Sequence, residues 1–171
     1  LITSGKADAG PVTMNVAFDR TNPAAVAAAR TISGDLQSTL ALDTADAVQR
    51  ILQQQVSNGD NPAVAAAQIK QIVGLNAQQA QALQNYEAAL RAGNLGTAKG
   101  YAISPGSENL INAAGSKGLS EAQIQKLVAS YRSRLLMQRA NTIARTESMA
   151  AVSNGAHNAW QQAIASSGLP E

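Results

Sequence analysis

The sequence predicts an all-α fold, a bundle of short helices followed by one long C-terminal helix, with an extended N-terminal arm. Three observations carry this expectation. The chain is rich in Ala and Gln, both strong helix formers, and only 14% of its residues are charged and 3% aromatic. Asn or Asp, twice followed by Pro, stands before stretches whose apolar residues recur at helical spacing. From Ser120 onward, neither Gly nor Pro occurs until Gly155.

Residues 1–21 show no helical period. Pro11 to Phe18 loosely alternates, so the segment reads as an arm whose strand-like part needs another chain to pair with. Residues 22–92 read as the bundle. Asn22-Pro23 opens its first helix, which carries Val26, Ile32, Leu36 and Leu40. Asp43 starts a second, with Val48, Ile51, Leu52 and Val56 as its stripe and Asn58-Gly59 as its stop. Asn61-Pro62 opens a third with Val64, Ile69, Ile72 and Val73, closed by Gly74. Asn76 caps a fourth, with Ala80, Leu83, Tyr86 and Leu90 on one face, ending at Gly93.

Residues 93–118 hold six glycines and Pro105. They are expected to be a Gly-rich connection, with at most a turn or two of helix over Glu108 to Ala114, and a connection of that length is either functional or mobile. Residues 119–168 then form the long helix. Ser120 caps it and Gln123 completes a capping box. Nothing in the sequence stops it before Ser153-Asn154-Gly155, and it can run on to Gly168, with a bend near Asn154-Gly155 as the alternative.

With one Phe and one Trp in 171 residues, the core must come from Leu, Ile, Val and Ala. Small side chains bury little area each, at roughly 25 cal/mol per Å², so partner chains are expected to supply part of the stability. The absence of Cys excludes disulfides and thiolate metal sites. No apolar run approaches the roughly 18 residues of a membrane span, and no signal peptide is visible. The ends, Leu1 and Gly168-Leu169-Pro170-Glu171, read as cuts within a longer polypeptide.

The net charge of +2 is unevenly spread. Lys117, Lys126, Arg132, Arg134, Arg139 and Arg145 face only Glu121 and Glu147 over that stretch. A basic stripe of this kind meets phosphate, an acidic protein surface or solvent. Lys117, Lys126, Arg132 and Arg134 are the candidate contacts for DNA or for an acidic protein surface.

On a helical wheel at about 100° per residue, Leu136, Ala140, Ile143, Ala144, Ala150 and Ala151 share one side, and Glu147 falls among them. A carboxylate there must be paired and hydrogen-bonded. Arg145 points the other way. Beyond Ser148 the apolar side rotates to Met149, Val152, Ala156, Trp160 and Ala163, which implies a second packing surface. Trp160 reads as a core or interface anchor.

These residues also carry a resemblance. Arg139-Ala140-Asn141-Thr142-Ile143-Ala144-Arg145-Thr146-Glu147, then Ala150, Asn154, Gly155 and Trp160, resembles the R-A-x-x-I-A-R-T-E…A…N-x-G…W signature of the phage head-morphogenesis (Mu F-like) minor head proteins. Ile72-Val73-Gly74-Leu75-Asn76 with the helix after it, and Phe18-Asp19-Arg20-Thr21-Asn22-Pro23, are similar to further segments of that family. The resemblance implies a virion protein of a tailed bacteriophage with a structural role in procapsid and head assembly. It implies association with the portal protein in several copies, with scaffold, major capsid protein and packaged double-stranded DNA as further partners. It places the protein in the host cytoplasm during assembly and then inside the capsid near the portal vertex. Family members usually continue with a segment containing Trp, Asp and His.

No cofactor, metal or catalytic residue is assigned, and no membrane partner. A lone acid without a base or nucleophile beside it is no active site. His157, the only histidine, reads as a surface residue, and the glycines lack phosphate-loop spacing. Two alternatives to assembly remain: non-specific DNA binding that affects genome packaging or ejection, and an enzymatic part beyond Glu171.

Overall fold

The computed structural model describes residues 40, 42–101 and 104–167. Among them are six α-helices and no strand. They are α1 (Leu42–Asn58), α2 (Pro62–Ile72), α3 (Ala77–Arg91), α4 (Leu95–Tyr101), α5 (Pro105–Ala114) and α6 (Glu121–Ser167), with a 3-10 turn at Gly115–Lys117 before α6. The expected N-terminal arm, the helix over residues 22–40 and the Phe18–Pro23 part of the resemblance lie outside the described residues, apart from Leu40.

Local chemistry sets most boundaries. Asn61 accepts the Ala63 amide at 2.9 Å, with Pro62 at the first helical position, where its missing N–H costs nothing. Asn76 and Gln79 exchange backbone hydrogen bonds as a capping box. Ser120 and Gln123 do the same for α6: the Ser120 amide donates to Gln123 Oε1 at 2.8 Å, and the Gln123 amide to Ser120 Oγ at 3.3 Å. Gly59 and Gly93, at φ 67° and 71°, turn the chain after α1 and α3 in the left-handed region that a Cβ disfavours.

The stretch 93–118 corrects the expectation of a glycine-rich connection, because α4, α5 and the 3-10 turn occupy most of it. Ala98 and Ile111 are fully buried, and their burial against α3 and α6 outweighs the low helix propensity of the glycines. Ser104 caps α5 by accepting the Ser107 amide, with Pro105 following.

At about 1.5 Å per residue, the 47 residues of α6 span roughly 70 Å. It runs through Asn154 and Gly155 to Ser167, the longer of the two extents that the sequence allows, and Gly155 is buried. One glycine costs about 1 kcal/mol in a helix, and the Ala and Gln residues around it outweigh that cost. No helix of the described residues is long and apolar enough to cross a membrane.

The described residues form two cores on this one helix. In the first, Val48 and Leu52 of α1 and Ala65, Ala66 and Ile69 of α2 pack with Ala140, Ile143 and Ala144 of α6. The second joins Tyr86 and Leu90 of α3, Ala98 of α4 and Ile111 of α5 to Ile124 and Leu127 of α6. Tyr86, Tyr101 and Tyr131 stack there with ring centroids 4.9 to 5.9 Å apart, and burial raises the phenol pKa of Tyr86 and Tyr131. On α2 the face that packs is the small one. Ala65 and Ala66 are buried, whereas Val64 and Ile72, expected in the core, are 49% and 38% exposed. Alanine on both helices lets α2 lie close against α6, and a larger side chain there would hold them apart.

Arg91 at the end of α3 grips Glu121 at the start of α6 through two bonds of 2.7 and 2.9 Å, and also bonds Glu87. The Arg91 guanidinium holds the Glu121 carboxyl below the usual carboxylate range. A depressed carboxyl stabilises the fold above its unfolded pKa, and that contribution is lost as pH falls through the folded value. Glu121→Gln is therefore expected to melt slightly below the parent at pH 7, with the gap closing as the pH falls below the usual carboxylate range. The effect is small because both side chains are about half exposed. A gap that does not change with pH would show that the pair contributes nothing.

Candidate docking surface

Helix α6 changes the face it buries. In its N-terminal half Ile124, Leu127 and Leu135 turn inward; in its C-terminal half Ala140, Ile143, Ala144 and Ala151 do. At about 100° per residue the mean directions of these sets lie roughly 170° apart. Two packing faces were expected, but with the change beyond Ser148. It occurs earlier, between Leu135 and Ala140, because α3 to α5 cover one side of the first half and α1 and α2 the other side of the second.

Three polar ties hold this crossover. Lys70 Nζ donates to Ser133 Oγ at 2.8 Å, Gln79 Nε2 to the Leu135 carbonyl at 3.1 Å, and Arg139 Nη1 to the Gly74 carbonyl at 2.9 Å. Arg139, the first residue of the signature, thus places its charge just past the C-terminus of α2, where the helix dipole favours a cation.

The rest of the signature separates into two sides. Ile143, Ala144 and Glu147 are buried, while Arg145, Thr146, Ala150, Asn154 and Trp160 are exposed. Ala150 was expected on the apolar side and is not there. Glu147, 7% exposed, lies on the buried side as its wheel position predicts. Among the described residues no buried side-chain nitrogen or oxygen lacks a hydrogen-bond partner. Beside it, Ser148 Oγ donates to Gln55 Oε1 at 2.6 Å, and Gln55 Nε2 donates to the Asp60 carbonyl at 2.6 Å. This network ties α6 to the α1–α2 turn. Its partners are 93 residues apart in the chain, and nothing in the local sequence pattern pairs them.

The second packing face expected on α6 is left exposed at Met149 and Trp160 among the described residues. Met149 is 71% and Trp160 49% exposed, so Trp160 belongs to neither core of the described residues. Met149 and Val152 border a depression of about 450 Å³ whose other walls include Gln55, Val56 and Pro62. Large apolar side chains left in water beside an apolar hollow mark a contact surface.

The basic residues do not form one stripe. Lys117 lies in the 3-10 turn, and Arg132 and Arg134 line different grooves. Lys126 points in a third direction at about 100° per residue. His157 is exposed beside Gln161, 3.0 Å away. No group of three or more His, Cys, Asp or Glu among the described residues is placed to hold a metal. No family model, curated protein or solved structure matches this chain.

Proposed function

We propose that this chain is a non-enzymatic assembly component of a tailed-bacteriophage head, a minor head protein that docks on the portal through the outer face of α6. One observation carries the docking part. The segment bearing the signature buries Ile143, Ala144 and Glu147 against its own bundle while leaving Met149, at the rim of an apolar hollow, and Trp160 exposed to solvent. A helix with one side committed and the other still apolar is suited to receive a second protein. The identity of that protein comes from the resemblance of Arg139 to Glu147 to the head-morphogenesis signature.

The aromatic and methionine side chains are of the types that anchor interfaces. The alanine-rich first core fits the same role, because its small side chains each bury little area and a bound partner would add stability. The direct test is co-expression with the portal protein of the same phage. The proposal expects the chain to elute with the ring-shaped portal oligomer. A chain that elutes alone, with the portal ring intact, would overturn it.

A further inference from the structure

From Ser148 to its end at Ser167, α6 carries no Asp, Glu, Lys or Arg. A helix face turned to water ordinarily holds charged and polar residues; here polar residues remain, but no Asp, Glu, Lys or Arg stands on any side. Met149 and Trp160 are exposed on this stretch. Eleven positions separate them, about 16 Å along the axis, and their directions differ by only about 20°. Between them on that face stand the smaller Val152, Ser153 and Ala156. The hollow of about 450 Å³, walled by Met149 and Val152 on one side and Val56 and Pro62 on the other, lies at one end of the face. Trp160 lies at the other end.

We propose that in the free protein a second copy of this chain covers the face, the two α6 helices pairing antiparallel about a two-fold axis near Gly155. Each Trp160 then lies over the other copy's hollow, against Met149, where thioether and indole attract. The small residues between them let the helices approach closely. The lack of charge selects this occupant. A two-fold contact sets each residue beside its own copy or a near neighbour of it, so a charge there would face its like. An acidic or basic partner would find nothing here to pair with. Parallel pairing would set Trp160 on Trp160 and leave both hollows unfilled. A seam of about three helical turns buries less than the roughly 1,200 Å² of a stable interface. The pair therefore dissociates in dilute solution, and another protein can displace it. Several copies on a portal ring need not touch one another, whereas this pair is closed and takes no third copy. The pairing is a property of the purified chain and does not rest on the portal reading, although both use one face.

The test is sedimentation equilibrium of the purified chain from about 1 to 500 µM, which brackets a weak pair. Dimers are expected to form with a Kd on the order of 10–100 µM, alike at about 0.1 and 1 M salt because no charge lines the seam. Met149→Asp with Trp160→Asp is expected to stay monomeric throughout, with an unchanged circular dichroism spectrum. The chain has no cysteine of its own, so single cysteines read the orientation. Ala156→Cys, beside the axis, is expected to form a disulfide dimer under mild oxidation. Met149→Cys is not, because its two copies would stand about 18 Å apart along the helices, beyond the reach of a disulfide. A monomer at every concentration, a dimer that persists in the double variant, or a dimer lost at high salt would overturn the proposal. So would ready crosslinking through Met149→Cys, which would show the helices to be parallel.

Discussion

Replacing Tyr86 with alanine is expected to lower stability by about 3–5 kcal/mol, the range for removing a buried aromatic side chain. Tyr86 is 1% exposed and stacks on both Tyr101 and Tyr131. Its ring fills the centre of the second core, against which Tyr101 and Tyr131 are only partly buried. Helices α4 and α5 are short, and their buried anchors are Ala98, Ile111 and Ala114. Urea unfolding monitored by circular dichroism checks this through a lower midpoint at similar slope. A loss below about 1 kcal/mol would mean that the tyrosine cluster is not what holds α3, α4 and α5 on α6.

Ile69→Ala is expected to cost about 2–5 kcal/mol for a comparable reason in the other core. Ile69 is fully buried between α1 and the Ala140–Ile143–Ala144 face of α6, and its neighbours on α2 are already alanines. Nothing small can move in to fill the space without dragging α2 off its close contact. The two substitutions act on opposite faces of a single helix. If α6 couples the cores, each variant is expected to unfold in one transition that is shifted as a whole. Two separated transitions in Ile69→Ala would show that the halves of α6 fold independently. A cost near zero would mean that the alanine contact alone holds α2.

Much of the fold was legible because caps and turns are local. Asn61-Pro62, Asn76 with Gln79, and Ser120 with Gln123 each announce a helix start within four residues, and the structure starts helices there. The burial of Glu147 was legible as well, since helical spacing places it beside Ile143, Ala144 and Ala151. Three features were not. Ala65 and Ala66 carry too weak an apolar signal to outrank Val64 and Ile72, although close approach to α6 selects the smaller residues. The crossover at Leu135 to Ala140 depends on which helices cover which side of α6, and two opposed stripes along one helix blur its periodicity. The Gln55–Ser148 bond joins residues that only the tertiary fold brings together. On the candidate surface, the sequence pointed to Met149 and Trp160 as a second face, and the structure leaves that face in solvent.

The claim that the outer face of α6 serves assembly is tested most directly by head yield from a phage carrying Met149→Asp with Trp160→Asp. Both positions are exposed, so the purified variant is expected to melt within about 1–2 °C of the parent, as exposed substitutions do. Head yield is expected to fall at least tenfold, because two charges would stand where an apolar partner surface must close. A variant that melts with the parent and still gives full head yield would contradict the account.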